Sequence, residues 1–160
     1  MIALTNRPPS SSIFAMGHAY PSKSVSFAFE CSAFEESPEH RMINRRTRLS
    51  TTKVCIERAG AVRDVRPSAI VMGRSRFDGL PKVSLFFDEH DTARISRFFE
   101  THRGYVVLYR DDTLLSYFLA DGTGFAGEIA TYQDTIEDAE SAMGQLAMSS
   151  REWPKQSWNR

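Results

Sequence analysis

Hydrophobic and polar positions alternate most cleanly over residues 24–30, where Val25, Phe27 and Phe29 fall on one face. Successive side chains of an extended chain point to opposite sides, so this pattern predicts a strand with one buried side. Residues 47–58, rich in Thr, Val and Ile, predict a second strand. Residues 69–77 predict a third, with Ile70 and Met72 on one face. Asp78, Gly79 and Pro81 make a tight connection into a fourth strand over 83–87. Between them, residues 35–46 are charged and polar around Pro38 and read as a loop. Gly60 and Pro67 bracket another.

The period then changes. Ile95, Phe98, Phe99 and His102 recur at helical spacing and predict a helix over 91–102, with His102 as a packed, hydrogen-bonded core histidine. Asp88 or Asp91 can cap it, because a carboxylate accepts from the free amides of the first turn. Gly104 supplies the stop. Residues 105–109 and 114–120 are apolar nearly throughout and predict two strands covered on both faces. Residues 121–124, Asp-Gly-Thr-Gly, read as a turn. A second helix over 133–148 buries Ile136, Ala139, Met143, Leu146 and Ala147.

The expected fold is therefore α+β: a mostly antiparallel sheet of about six strands with two helices packed on one face. Residues 1–23, with Pro8, Pro9 and a serine run, read as a disordered N-terminal tail. Residues 24–148 form a single α+β domain, and 149–160 a short polar C-terminal tail. The expected core is Val25, Phe27, Phe29, Leu85, Phe87, Ile95, Phe98, Phe99, Val107, Tyr117, Leu119, Ile136, Met143 and Leu146.

Composition is that of a small soluble protein. No apolar run is long enough to span a bilayer, so no membrane association is expected. Cys31 and Cys55 belong to neither a Cys-x-x-Cys motif nor a Cys/His quartet. They read as reduced, half-buried thiols in a cytoplasmic protein rather than as a bridge.

Charge is what changes the picture. Residues 41–82 hold eleven lysines and arginines against three acids, a surplus of +8, while residues 83–148 hold four arginines against twelve acids, a surplus of −8. The net charge of zero hides a dipolar chain. A basic block attracts polyanions, and the acidic block can shield it. Sixteen of the twenty cationic residues are arginine, whose planar fork grips phosphate with paired hydrogen bonds and stacks on bases. The spacings Arg46/Arg48 and Arg74/Arg76 would place each pair on one face of a strand.

Two adjacent strands would then make a basic plaque of Arg45, Arg46, Arg48, Lys53, Arg74 and Arg76, with Phe77 available to stack. Such a surface suits nucleic acid, single strands favoured. The alternative is a protein-interaction or inhibitor module. Its basic face would meet an acidic protein surface or stack copies of the chain head to tail into a homo-oligomer, and strands 105–120 would offer an exposed edge. An ordinary solvated face, with the arginines satisfied by the acidic half of the chain, is the plain reading of the same pattern.

No catalytic residue is assigned. There is no Gly-x-Ser-x-Gly motif, and Glu35-Glu36 and Asp111-Asp112 lie in polar loops. The run Asp88 to Asp91 fans out rather than converging, and His90 is twelve residues from His102, so no metal site is assigned. The glycine-rich stretch 121–127 lacks the following helix and lysine of a phosphate loop. No cofactor is expected, and the chain reads as non-enzymatic.

Overall fold

Strand pairing divides this computed structural model into two sheets. It describes residues 14–32, 37–47, 49–101, 103–120 and 125–148. The element order is β1 (Ala19–Tyr20), β2 (Val25–Phe29), β3 (His40–Arg46), β4 (Thr51–Glu57), β5 (Val62–Val65), β6 (Ala69–Arg74), β7 (Pro81–Phe86), α1 (Glu89–Thr101), β8 (Gly104–Arg110), β9 (Thr113–Ala120), β10 (Glu128–Tyr132) and α2 (Ile136–Leu146). The architecture is α+β, but the single sheet expected from the sequence is corrected to two. One has four strands, ordered β1-β6-β7-β10, and the other six, ordered β4-β3-β9-β8-β2-β5. All pairings are antiparallel except β3 with β9, where Asn44 lies opposite Thr113.

The six-stranded sheet nearly closes on itself. Past β2, Glu30 bridges Ile56 of β4, and the Cys31 amide donates to the Cys55 carbonyl at 3.0 Å. The ring β2-β8-β9-β3-β4 therefore returns to β2, and β5 takes the rest of β2's second edge. Ala28, Ile43, Val54, Ile56, Val107 and Tyr109 pack together as one cluster, with Leu114 and Tyr117 against it. Every strand of the ring supplies part of this interior. The Glu30–Ile56 bridge closes the ring at the end of β2, while β4 and β5 remain the end strands of the sheet.

A larger cluster lies on the other side. Val25, Phe27 and Phe29 of β2 meet Ile70, Met72, Val83 and Leu85 of the second sheet, together with Ile95, Phe98, Met143 and Leu146 of the helices. β2 is thus buried on both faces, not one, because it is shared between two cores. Stacking of Phe29 on Phe98, 4.2 Å between centroids, ties the ring to α1. α1 packs beside β5, and α2 across β6 and β7. Asp88 caps α1 by accepting from the Asp91 amide at 2.8 Å, and Thr135 caps α2 by accepting from Asp138.

Several local expectations change. Residues 40–46, read as loop, are β3, and residues 62–65, also read as loop, are β5. β10, with Ile129 and Thr131 buried, lies in a stretch to which the sequence reading assigned no element. Within the expected tail, Tyr20 and Ala19 pair with Ile70 and Val71, Phe14 and Tyr20 pack on the main core, and Ser22 is buried. Leu119, expected in the core, is 67% exposed, and Phe99 and Ile136 are half-buried. β8 is backbone-paired along both edges, by β2 and β9, whereas β9 meets β3 at Asn44 opposite Thr113. His102, residues 121–124, 1–13 and 149–160 lie outside the described residues. Among the described residues, no helix is long and apolar enough to cross a membrane.

Candidate nucleic-acid interface

The arginines of the basic block are distributed by strand alternation and by sheet membership. On β3, Arg41, Ile43 and Arg45 share one face, and Met42, Asn44 and Arg46 the other. Ile43 is fully buried in the ring interior, so Arg41 and Arg45 start from its inner side. The Arg41 guanidinium lies 5.8 Å from the Tyr109 ring centre, pairs with the Asp112 carboxylate and donates to the Asp111 carbonyl at 2.9 Å. Asp111 adopts φ +50°, a conformation Asp tolerates better than most residues, and the two-residue turn it opens brings both acceptors to Arg41.

Arg45 reaches over Tyr117, 5.9 Å to the ring centre. Tyr117 stacks on Tyr105 at 4.8 Å and donates its hydroxyl to the Glu30 carboxylate. Tyr105 is 51% exposed and sits opposite Leu119 on the neighbouring strand. The result is a ladder of arginine, tyrosine and tyrosine leading to the surface, with Leu119 at its side. Leu49, almost wholly exposed, marks the tip of the β3–β4 hairpin. The aromatic residues beside Arg45 are Tyr117 and Tyr105, not Phe77. Their signal was present, since Tyr105 and Tyr117 stand in two strands that the turn at 111–112 folds against each other.

On the other face of β3, Arg46 projects with Asn44. Asn44 accepts from Lys53 Nζ at 2.5 Å, which fixes the lysine over the hairpin. Arg46 lines a cleft of about 460 Å³ with Arg110, Asp111, Gln133 and Asp138. Arg110 is itself anchored, donating to the Ser24 carbonyl at 2.8 Å. Two arginines and two aspartates leave that cleft electrically mixed, so it does not select an anion by charge.

Arg74, Arg76 and Phe77 stand elsewhere. Arg74 ends β6 in the four-stranded sheet, and Arg76 and Phe77 occupy the tip of the β6–β7 hairpin. Arg74 donates to the Gly79 carbonyl at 3.0 Å, Ser75 to Leu80 at 2.8 Å and Phe77 to the Ser75 hydroxyl at 3.2 Å, so the tip is built rather than loose. Phe77 is 99% exposed there. The plaque expected from two adjacent strands is therefore corrected: β3 and β6 belong to different sheets. Arg45, Arg46 and Lys53 stay on one hairpin, Arg45 on one face and Arg46 and Lys53 on the other, Arg74, Arg76 and Phe77 form a second group, and Arg48 lies outside the described residues. Among the described residues, ion pairs join Arg41 to Asp112 and Arg94 to Asp91, and none involves Arg45, Arg46, Lys53, Arg74 or Arg76.

Cys31 and Cys55 form a disulfide, with Cα atoms 5.4 Å apart. This corrects the expectation of two reduced thiols. The bridge follows from ring closure, which places the residue after Glu30 beside the residue before Ile56.

Comparison with known proteins identified no matching family, no matching curated protein and no matching solved structure.

Proposed function

We propose that the chain is a non-enzymatic protein that binds single-stranded nucleic acid on the β3–β4 hairpin and the adjoining face of β8 and β9. The observation that carries this reading is Arg45 held over Tyr117, itself stacked on half-exposed Tyr105, with no ion pair to Arg45, Arg46 or Lys53 among the described residues. Bases stack on aromatic faces regardless of sequence, and arginine adds both charge and a planar surface. In this arrangement Tyr105 receives a base and Arg45 an adjoining phosphate, while Arg46 and Lys53 add positive charge from the other face of the hairpin. Arg74, Arg76 and Phe77 supply a second, separate contact for a longer strand.

The second reading is a protein-interaction module. It draws on the apolar side chains at both hairpin tips, Leu49 and Phe77, each almost fully exposed within basic surroundings. That combination fits an acidic protein surface with apolar pockets.

A salt series separates the two. Each phosphate contact on a single strand contributes a slope of about −0.7 in log K against log salt. Charge reversal of Arg45, Arg46 and Lys53 together is expected to flatten the slope by about two units, and reversal of Arg74 and Arg76 by less. Failure of the wild-type chain to bind a mixed pool of DNA and RNA oligonucleotides at about 50 mM salt removes this function and leaves the protein-interaction module.

A further inference from the structure

Cys31, Cys55 and His40 converge at the seam of the ring. The two sulfurs and a ring nitrogen of His40 all lie within 4.8 Å of one another. Cys55 is buried, and Cys31 and His40 are half-buried. The scaffold that brings them together does not depend on the S–S bond. Seven register pairs join β3 to β4, with Met42 opposite Cys55 and His40 opposite Glu57. Strand alternation therefore places His40 and Cys55 on one side of that ladder. Cys31 is held by its own amide, which donates to the Cys55 carbonyl at 3.0 Å. His40 and Met42 also line a cavity of about 550 Å³ with Ser37, Arg41 and Arg58, which gives an ion a way in.

We propose that, when the disulfide is reduced, Cys31, Cys55 and His40 bind one thiophilic d10 cation, with Zn²⁺ as its representative. A tetrahedral zinc with bonds of about 2.3 Å to sulfur and about 2.0 Å to nitrogen holds its ligand atoms roughly 3.5–3.8 Å apart. The three donors already lie within reach of that spacing once the sulfurs are free to part. Two thiolates neutralise the ion's charge and the imidazole donates a neutral lone pair. The fourth position opens toward the cavity, where water or the Met42 thioether can enter.

The chemistry balances in two steps. A phosphine gives two electrons to the S–S bond and becomes the phosphine oxide, taking its oxygen from water. The two protons of that water end on the two sulfurs. The cation then displaces both thiol protons as the two metal–sulfur bonds form. The seam would thus be closed by a covalent bond under oxidising conditions and by a metal under reducing ones. This inference does not rest on nucleic-acid binding.

The test is a zinc titration of the full chain after phosphine reduction, with the oxidised chain as control. One ion per reduced chain and release of two protons are expected, with no comparable uptake by the oxidised chain. Cobalt substitution should give intense thiolate charge-transfer absorption in the near-ultraviolet. His40→Ala keeps both cysteines and should weaken binding by about a hundredfold or more, beyond the effect of an outer-shell partner. Equal uptake by oxidised and reduced chains, or unchanged affinity in His40→Ala, would overturn the proposal. Because the oxidised wild-type chain has the fold described above, the comparison does not depend on any variant folding.

Discussion

The guanidinium of Arg45 sits over the ring of Tyr117, 5.9 Å from its centre, and the same ring stacks on Tyr105 at 4.8 Å. The contact joins the β3–β4 hairpin to β9 where backbone pairing between β3 and β9 amounts to Asn44 opposite Thr113. Arg45→Ala should cost about 0.5–1 kcal/mol of stability, the range of an exposed cation–π contact. Tyr117→Phe keeps the ring but loses the hydroxyl donated to Glu30, which should cost about 1–2 kcal/mol. Oligonucleotide affinity should fall in Arg45→Ala and hold in Tyr117→Phe. Denaturant melts and titrations of the two variants check both halves, and equal affinity in both would detach the arginine from binding.

Phe98 anchors α1. It stacks on Phe29 and lies edge-on to Phe99, with Phe27 on a further side. Truncation to alanine leaves a cavity that aromatic neighbours on several sides cannot collapse, so Phe98→Ala should cost about 3–5 kcal/mol. Phe99, half-buried, should cost less. The ranking is read from urea unfolding midpoints, and a reversed order would mean that the helix faces the core differently.

Removal of residues 1–20 should destabilise the fold. It strips β1 from β6, takes away Phe14 and Tyr20 from the main core, and uncovers an edge of the four-stranded sheet. Burial of one large apolar side chain contributes about 1.5–3 kcal/mol, so a loss of about 2–4 kcal/mol is expected. A shortened chain that melts like the parent would show that this packing contributes little.

Reduction of Cys31–Cys55 in the absence of metal should lower stability by about 3.5 kcal/mol, the loop-entropy value for a separation of 24 residues. The native pairing of β4 with β3 should persist at low temperature, because the ladder continues on both sides of Cys55. Hydrogen exchange of the Cys31 amide, which donates across the seam, reports the change directly. Protection unaffected by reduction would show that Glu30 and Ile56 hold the seam alone.

Much of this was legible locally. Alternation located β2, β6 and β7, helical spacing located α1 and α2, and Asp88 announced its cap. These signals survive in the sequence because each element buries a regular stripe of its own side chains. β3 was hidden because its inward positions are Arg41 and Arg45, which lean on tyrosines from another strand, so charge masked the period. β5 was hidden by its length of four residues. Charge segregation likewise named the cationic residues but not their grouping. Membership of β3 and β6 in different sheets is a long-range pairing, and no local pattern encodes it.

The sequence by itself determined the positions of most strands and both helices, the +8 and −8 blocks, and the arginine-rich character of 41–82. Only the tertiary structure decided that β2 is covered on both faces and that Tyr105, rather than Phe77, stands beside Arg45 and Tyr117. It alone brought Cys31, Cys55 and His40 to one point. The physical reason is ring closure: local propensities set which segments extend, but the side chains that meet across the seam depend on how the strands return to β2.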